Sequence, residues 1–203
     1  MSKISLIFYW VFFAVLNLKA SEYEITVLAT NTANFGGIGE WSFSALLESD
    51  DEKILFDTGF NENTVLHNAN LLGKDLSQVE KVILSHFHGD HTGGLIKLRK
   101  TFKEINPKAF STVYVADGFF EQRYDENGEL RGFIGGFNDV DNFLKETDDL
   151  GIRFVILKEP IEISKNLYLS GPVERIHERV VVSPGFYLKK DGLLLDDLVL
   201  DDQ

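Results

Sequence analysis

One short stretch of the sequence carries four side chains that could bind metal ions. The stretch is SHFHGDHTGG, residues 85–94, and its candidate ligands are His86, His88, Asp90 and His91. Imidazole nitrogens and a carboxylate oxygen suit zinc, and they also suit iron or manganese. Because His86 and His88 are two residues apart, an extended backbone would place their rings on the same side. The pattern predicts a metal site rather than a solvated polar loop.

The chain has five histidines in all, and the two outside the motif are weaker candidates. His67 lies in the helical pattern TVLHNANLL, and His177 is flanked by charged residues in PVERIHERVVV. We interpret His177 as a surface residue near the start of a strand. Asp201 and Asp202 are next to the terminus, where fraying is expected, and we do not assign them as ligands.

Hydrophobic patterning predicts the elements that position the cluster. VEKVILSH is a short apolar strand that runs directly into the histidines, and Gly89 permits the tight turn that brings Asp90 and His91 close by. Upstream, strands are predicted at 22–29, 43–48 and 53–56, the last two forming a hairpin. Helices are predicted over 61–73, 94–102 and 139–150, with further strands in STVYVAD, IRFVIL and NLYLSG. This alternation predicts an α/β (α+β) sandwich in one domain.

The first twenty residues have the layout of a secretory signal peptide. Lys3 precedes an apolar run from Ile4 to Leu18, and Ala20 supplies a small residue before Ser21. The run is short for a membrane span. We therefore predict a signal peptide over 1–20, a domain over 21–203 and a periplasmic or secreted location. The alternative is an uncleaved anchor or a buried first helix, and only an uncleaved segment would associate with a membrane.

The amino-acid composition limits which classes of molecule the chain is expected to bind. The formal net charge is −12, and such an acidic surface repels phosphate backbones, which argues against nucleic acid. The acidic groups can also serve solubility alone. Cysteine is absent, so an exported chain must rely on its core and on bound metal rather than on disulfides. The expected partner is a small-molecule substrate, and the sequence does not indicate an oligomeric state.

The histidine motif resembles the signature of the metallo-β-lactamase-fold hydrolases, His-x-His-x-Asp-His after an apolar strand. GIGEWSFSALLES, ANLLGKDLSQVEKVILSHFHGDHTGGL, LYLSGPVER and LLLDDLVLDDQ are similar, more narrowly, to the pterin-type synthase-like subgroup of metal-dependent hydrolases. The resemblance covers residues 23–203. It implies an αβ/βα sandwich and two divalent metal ions, zinc by preference, with manganese or iron as alternatives.

The resemblance also implies roles for individual residues. His86 and His88 match the ligands of the first metal, and Asp90 and His91 match those of the second. Asp57, in ILFDTG, matches a strand-end aspartate that lies behind the ligands and orients a ligating histidine. The implied reaction is attack by a metal-bound hydroxide on an ester, lactone, amide or phosphoester bond, with Asp90 as the catalytic residue that orients the nucleophile. The subgroup makes a true β-lactamase less expected than the fold's name suggests.

The chain departs from the family pattern at its end. The family uses a further histidine for each metal and a bridging carboxylate, and the later histidines of the subgroup follow the segment that closes this chain at Gln203. We therefore expect the N-terminal portion of a longer hydrolase. Two protein ligands per ion are fewer than the three typical of catalytic zinc, so this chain should bind metal weakly and have poor activity. The alternative is a truncated, inactive remnant with weak or no metal binding.

FDTG also permits another interpretation, because Asp-Thr-Gly occurs in pepsin-like aspartic proteases, where two carboxylates share a proton. Only one such triplet is present, so a protease would have to be a dimer. That interpretation leaves the histidine cluster unexplained.

The segment 118–137, GFFEQRYDENGELRGFIGGF, could form a flap over the site. In that arrangement an apolar pocket would be lined by Phe119, Phe120, Tyr124 and Phe133. Arg123 or Arg131 would then bind an anionic group. The alternative is a surface loop packed by its own aromatic rings. A β-lactam, a lactone, a phosphodiester and an aryl ester all stay open as substrates.

Overall fold

The computed structural model describes residues 23–132, 134–137, 139–173, 185–196 and 203. The predicted signal peptide lies outside these ranges, as do Phe133, His177, Asp201 and Asp202. Within the described ranges, no helix has the length and apolar character needed to cross a bilayer.

Six strands form the main sheet, in the spatial order β1-β2-β3-β4-β5-β8. They are β1 (Glu24–Ala29), β2 (Ser44–Glu48), β3 (Lys53–Phe56), β4 (Val79–Ile83), β5 (Thr112–Ala116) and β8 (Arg153–Leu157). The first three are antiparallel, and β3, β4, β5 and β8 run parallel. The described helices are α1 (Thr64–Leu71), α2 (Gly89–Thr92), α3 (Leu95–Phe102) and α4 (Val140–Asp149).

Smaller sheets flank this unit. β6 (Arg123–Tyr124) and β7 (Leu130–Arg131) join β11 (Tyr187–Lys190) and β12 (Leu193–Asp196) in one four-stranded sheet. β9 (Ile161–Ser164) and β10 (Leu167–Leu169) form a separate antiparallel pair. The expected α/β (α+β) class is therefore confirmed, with helices, strands and hairpins in the predicted alternation.

The central strands of the main sheet, β3, β4 and β5, carry apolar residues on both of their faces and are covered on both. Leu55, Val82 and Val113 are register partners on one face, where they pack in the same cluster as residues of α1, α3 and α4. Phe56, Ile83 and Tyr114 are partners on the other face, which β9 and β10 cover. Burying each large aliphatic side chain contributes about 1.5–3 kcal/mol, so this double burial fixes the register of the parallel strands.

The parallel strands deliver the candidate site to one edge of the sheet. Carboxyl ends of parallel strands share an edge, and ligand sites of such sheets lie there. Asp57 follows directly after β3, and Ser85 and His86 follow β4. Two motifs separated by almost thirty residues of sequence therefore meet at this edge.

Candidate metal centre

The four predicted ligands lie on an extended segment and the short helix that follows it. His88 has extended backbone angles (φ −60°, ψ 146°) and immediately precedes α2. Its carbonyl accepts hydrogen bonds from the amides of His91 and Thr92, at 3.0 and 3.1 Å, which closes the turn. This turn moves Asp90 and His91 round to the side on which His86 lies.

The donor atoms of the cluster are close enough to share ions. His86 Nε2 and His88 Nδ1 are 3.0 Å apart, and His91 Nε2 is 3.6 Å from Asp90 Oδ2. Ligand atoms of His86, Asp90 and His91 all lie within 4.8 Å of one another. Two nitrogens that each lie about 2.0–2.1 Å from one zinc in a tetrahedral site are about 3.3 Å apart. The donor set and its spacing therefore fit divalent cations.

Asp57 lies behind His91 and is fully enclosed, with 1% of its surface exposed. Its Oδ1 accepts from the Ser85 amide at 2.7 Å, and its Oδ2 accepts from Ser85 Oγ at 2.8 Å. Oδ2 is also 2.7 Å from His91 Nδ1. The backbone of Asp57 has a positive φ of 54°, which is uncommon for residues other than glycine, although asparagine and aspartate adopt it more often than most. This turn aims the carboxylate at the histidine segment.

Counting donors assigns the hydrogens on the two flanking imidazoles. Ser85 Oγ gives its one hydrogen to Asp57, so it accepts from His86 Nδ1, which is 3.0 Å away. His91 Nδ1 likewise donates to the Asp57 carboxylate. Both Nε2 atoms are then unprotonated, which metal binding requires. The Nε2 atom of His86 lies within hydrogen-bonding distance of His88 Nδ1, at 3.0 Å. The motif did not single out Ser85, and its position just before the first histidine is the only signal that could have found it.

Burial raises the pKa of Asp57 above the usual 3.8, and hydrogen bonds from His91 and Ser85 act in the opposite direction. A carboxylate in such surroundings gains from a positive charge nearby. A cation held by His91 and a carboxylate behind that ring therefore support each other.

Gly93 and Gly94 allow the loop after β3 to pack directly against α2. The Gly93 amide donates to the Gly59 carbonyl at 2.9 Å. A Cβ atom on Gly93 would lie 2.0 Å from the Phe60 carbonyl oxygen, and one on Gly94 would lie 2.2 Å from that of Thr58. Both positions therefore require glycine for close backbone approach.

Aromatic rings surround the outer side of the cluster. The His88 ring packs on Phe87 and on Phe186, with centroid distances of 4.5 and 5.6 Å, and these two phenylalanines also contact each other. A cavity of about 280 Å³ opens beside it. The cavity is lined by Trp41, Phe60, His88, Asp90 and Phe186. The patterns of the sequence did not indicate the three aromatic residues.

The roles that the flap interpretation of residues 118–137 gave to Phe119, Phe120 and Arg123 are wrong. Phe119 is buried in the core, and Phe120 packs on Phe154 with their centroids 4.9 Å apart. Arg123 is also buried, its guanidinium lies over the Phe87 ring at 3.9 Å, and it donates to backbone carbonyls. Its charge therefore serves the fold. The alternative, a surface loop packed by its own rings, does not describe these contacts either, because Phe120 and Arg123 pack on rings outside the segment. Arg131 lies over the Phe186 ring, 4.7 Å from its centroid.

The structure also places His67, a weak candidate from the sequence, and Gln203, the last residue. His67 Nε2 is 2.8 Å from the Gly36 carbonyl oxygen, so its ring links α1 to the loop between β1 and β2. Gln203 bridges strand ends, with its Nε2 donating to the carbonyls of Leu84 and Tyr114 at 2.9 and 3.0 Å. Its amide donates to the Ser85 carbonyl at 3.0 Å. Gln203 therefore braces the backbone from which His86 projects.

Known proteins resemble this chain over most of its length. An uncharacterised protein of Methanocaldococcus jannaschii is 32% identical, over 88% of this chain and 63% of its own. The 7,8-dihydropterin-6-methyl-4-(beta-D-ribofuranosyl)-aminobenzene-5'-phosphate synthase of the same organism is 29% identical, over 91% of this chain and 63% of its own. The chain thus spans less than two thirds of the length of these relatives.

A solved structure and a family model agree with these relatives. The crystal structure of Tm1679, a metal-dependent hydrolase of the beta-lactamase superfamily, superposes with a TM-score of 0.63 at 28% identity. That match covers 89% of this chain and 59% of the other. The family model described as the metallo-beta-lactamase superfamily matches residues 42–162, more than half of the chain and the whole of the histidine segment. The chain belongs to the metallo-β-lactamase superfamily.

Proposed function

We propose that this chain carries part of the active site of an exported metal-dependent hydrolase with two divalent ions, zinc by preference. Membership of the superfamily supports a hydrolase-type function in general. The observation that supports the proposal most is the convergence of donor atoms from His86, Asp90 and His91 within 4.8 Å. The export part rests on the signal-peptide pattern of residues 1–20 alone.

Each ion would have its own pair of ligands. His86 and His88 would hold one ion, and Asp90 and His91 would hold the other. When bound, a divalent ion supplies Lewis-acid polarisation of the substrate and lowers the pKa of a coordinated water. The Nδ1 contacts of His86 and His91 leave both Nε2 atoms unprotonated, which metal binding requires.

The protein's own groups supply orientation. Asp90 is half-buried and lines the cavity, so its carboxylate can accept a hydrogen bond from the attacking water and aim it at the substrate. Asp57 cannot take this role, because it is enclosed and its oxygens already accept from Ser85 and His91. The two aspartates thus divide the work, with Asp90 facing the substrate and Asp57 holding His91. This arrangement also argues against an acid protease built on Asp57.

The proposed reaction is hydrolysis of an ester, lactone, amide or phosphoester bond in a small molecule. The test uses one simple substrate of each class: p-nitrophenyl acetate, γ-butyrolactone, p-nitroacetanilide and bis(p-nitrophenyl) phosphate. The full chain is assayed with saturating zinc and with a chelator. We expect slow hydrolysis of at least one substrate that depends on zinc.

His91→Ala should lower this zinc-dependent rate by about 100-fold or more, because it removes a ligand together with the Asp57 contact. His67→Ala is the matched control, since it removes a histidine of α1 that is hydrogen-bonded to the Gly36 carbonyl. The hydrolysis rate of this variant should equal that of the parent chain. Equal rates in both variants, or no zinc-dependent hydrolysis of any substrate, would contradict the proposal and favour an inactive remnant.

A further inference from the structure

Trp41 and Phe60 stand at the mouth of the cavity beside the proposed metal ligands. We infer that they form a subsite for an uncharged aromatic ring or short acyl chain of the substrate, next to the bond that is hydrolysed. The inference rests on the proposed hydrolase function and names the substrate class that the site accepts. Throughout, this pair is called the aromatic subsite.

The position of the cavity makes it a substrate site. Its walls include His88 and Asp90, one from each proposed ligand pair, and three aromatic rings. An engineered cavity of about 150 Å³ lined by apolar side chains binds benzene, so about 280 Å³ accommodates one ring or a short chain. A substrate whose scissile bond reaches the ligands therefore places its adjoining group against the rings.

Charge decides the kind of group that fits. Among the described lining residues Asp90 is acidic, and none is Lys or Arg. Arg131 lies over the Phe186 ring, 4.7 Å from its centroid, but Trp41 and Phe60 themselves carry no charge, so burial of an anionic substituent between these two rings would be costly. An uncharged ring or chain gains from the same wall.

One carboxylate ties together the two loops that carry the rings. Glu40, directly before Trp41, accepts from the Phe60 amide at 2.8 Å and from the Asn61 amide at 3.1 Å. It also accepts from Thr64 Oγ1 at 2.8 Å, at the start of α1. Trp41 and Phe60 are therefore neighbours because of specific hydrogen bonds, and the subsite is formed before substrate arrives.

The same loops are bonded to the ligand-bearing helix. The Phe43 amide donates to the Asp90 carbonyl at 3.4 Å, and the Thr58 amide donates to the His91 carbonyl at 2.7 Å. The distance between the rings and the ligands is thus set by backbone contacts. This arrangement is what positioning of a substrate beside a reacting centre requires.

Exposure alone does not identify the subsite. Trp41 is 79% exposed and Phe60 is 58% exposed, but Phe35, at 105%, is more exposed than either. Phe35 does not line the cavity. It therefore supplies a matched control, an exposed aromatic residue whose removal should leave substrate binding unchanged.

The experiment compares two zinc-binding probes, benzohydroxamate and acetohydroxamate, on the zinc-saturated full chain by calorimetry. They differ only by a phenyl ring in place of a methyl group. We expect benzohydroxamate to bind about tenfold more tightly, because the ring is buried against the aromatic subsite. Trp41→Ala and Phe60→Ala should each reduce this preference to about twofold or less and leave the acetohydroxamate affinity unchanged.

A second readout does not depend on affinity. The chain has two tryptophans, Trp10 and Trp41, so Trp10→Phe leaves Trp41 as the sole indole. Benzohydroxamate should change the fluorescence of Trp41, and acetohydroxamate should change it little.

The outcomes separate this inference from the proposed function. If acetohydroxamate binds but the phenyl preference is absent, or if Phe35→Ala lowers that preference as much as Trp41→Ala does, the aromatic subsite is wrong and the hydrolase proposal stands. If neither hydroxamate binds and zinc itself is not retained, the proposed function fails, and the subsite fails with it.

Discussion

The carboxylate of Asp57 is placed behind the candidate metal ligands rather than among them. Its positive φ, its enclosure and its contacts with Ser85 and His91 all serve to hold one imidazole in one orientation. A backbone conformation of this kind costs about 1–3 kcal/mol and persists only where its surroundings fix it. Here the Asp57 amide donates to Ile83 O at 2.8 Å and its carbonyl accepts from Ser44 Oγ at 2.8 Å.

Asp57→Asn should weaken zinc binding by about 10–100-fold, the usual range for residues that orient a ligating histidine. Asparagine tolerates the left-handed backbone of Asp57, so the substitution removes the charge and keeps the turn. The measurement is competition for zinc against a chelator of known affinity. Asp51→Asn, on an exposed turn, is the control. An unchanged zinc affinity in Asp57→Asn would contradict the orienting role.

At the scale of elements, α2 packs closely against the loop after β3 because Gly93 has no Cβ atom. Gly93 has helical backbone angles (φ −62°, ψ −31°), so alanine would suit its local conformation. Packing gives the opposite expectation, because a Cβ there would lie 2.0 Å from the Phe60 carbonyl oxygen.

Gly93→Ala should therefore lower the free energy of unfolding by about 1–3 kcal/mol or more, and it should also reduce zinc binding. Urea unfolding and zinc retention measure the two effects. Gly73→Ala is the comparison, because it has open space around it but a φ of 68°, which costs about 1 kcal/mol. Zinc binding should survive in Gly73→Ala. A Gly93→Ala variant as stable as the parent would show that the two backbones do not pack this closely.

A charged network joins β2, β3 and the loop after α1 on the side away from the ligands. Glu48 pairs with Lys53 and Lys74. Burial alone would raise the pKa of Glu48, but hydrogen bonds from both lysines outweigh it and hold that pKa below the usual 4.5. A carboxyl group whose pKa is lower in the folded chain than in the unfolded chain stabilises the fold at pH values above the unfolded pKa. This stabilisation is lost as the pH falls through the folded pKa.

Glu48→Gln should accordingly destabilise the chain at pH 7, by less than about 1 kcal/mol because the group is partly solvated. The difference from the parent should shrink as the pH falls through the depressed pKa of Glu48, because the parent's Glu48 then also becomes protonated. Unfolding by urea at several pH values checks this, with Glu80→Gln on the exposed side of β4 as the control. A difference that persists at low pH would assign the effect to packing instead of charge.

For the whole molecule, local patterns were sufficient wherever structure depends on neighbouring residues. The hairpin at 43–48 and 53–56, the helix ending near Gly73 and the strand before the histidines all formed as expected, within one to three residues at their ends. The order of motif and strand also placed the four candidate ligands and Asp57 at one edge, because parallel strands end together.

What the sequence could not provide are contacts between distant segments. β6 and β7 are two residues each, and Tyr124 pairs with Tyr187, far along the chain, so no local period marked them. The aromatic subsite was missed for the same reason. Trp41 and Phe60 lie in separate loops, and the Glu40 carboxylate that joins them acts through backbone amides, which any residue type presents.

The central claim is that His86, His88, Asp90 and His91 hold divalent cations, and cobalt titration tests it most directly. Cobalt(II) replaces zinc in such sites, and its visible absorption reports nitrogen and oxygen ligation. We predict that cobalt binding is saturable. Its affinity should be about 100-fold lower in His86→Ala and in His91→Ala, and both spectrum and affinity should be unchanged in His67→Ala. No saturable cobalt spectrum, or the same spectrum and affinity in all variants, would contradict the assignment of this cluster as the metal centre.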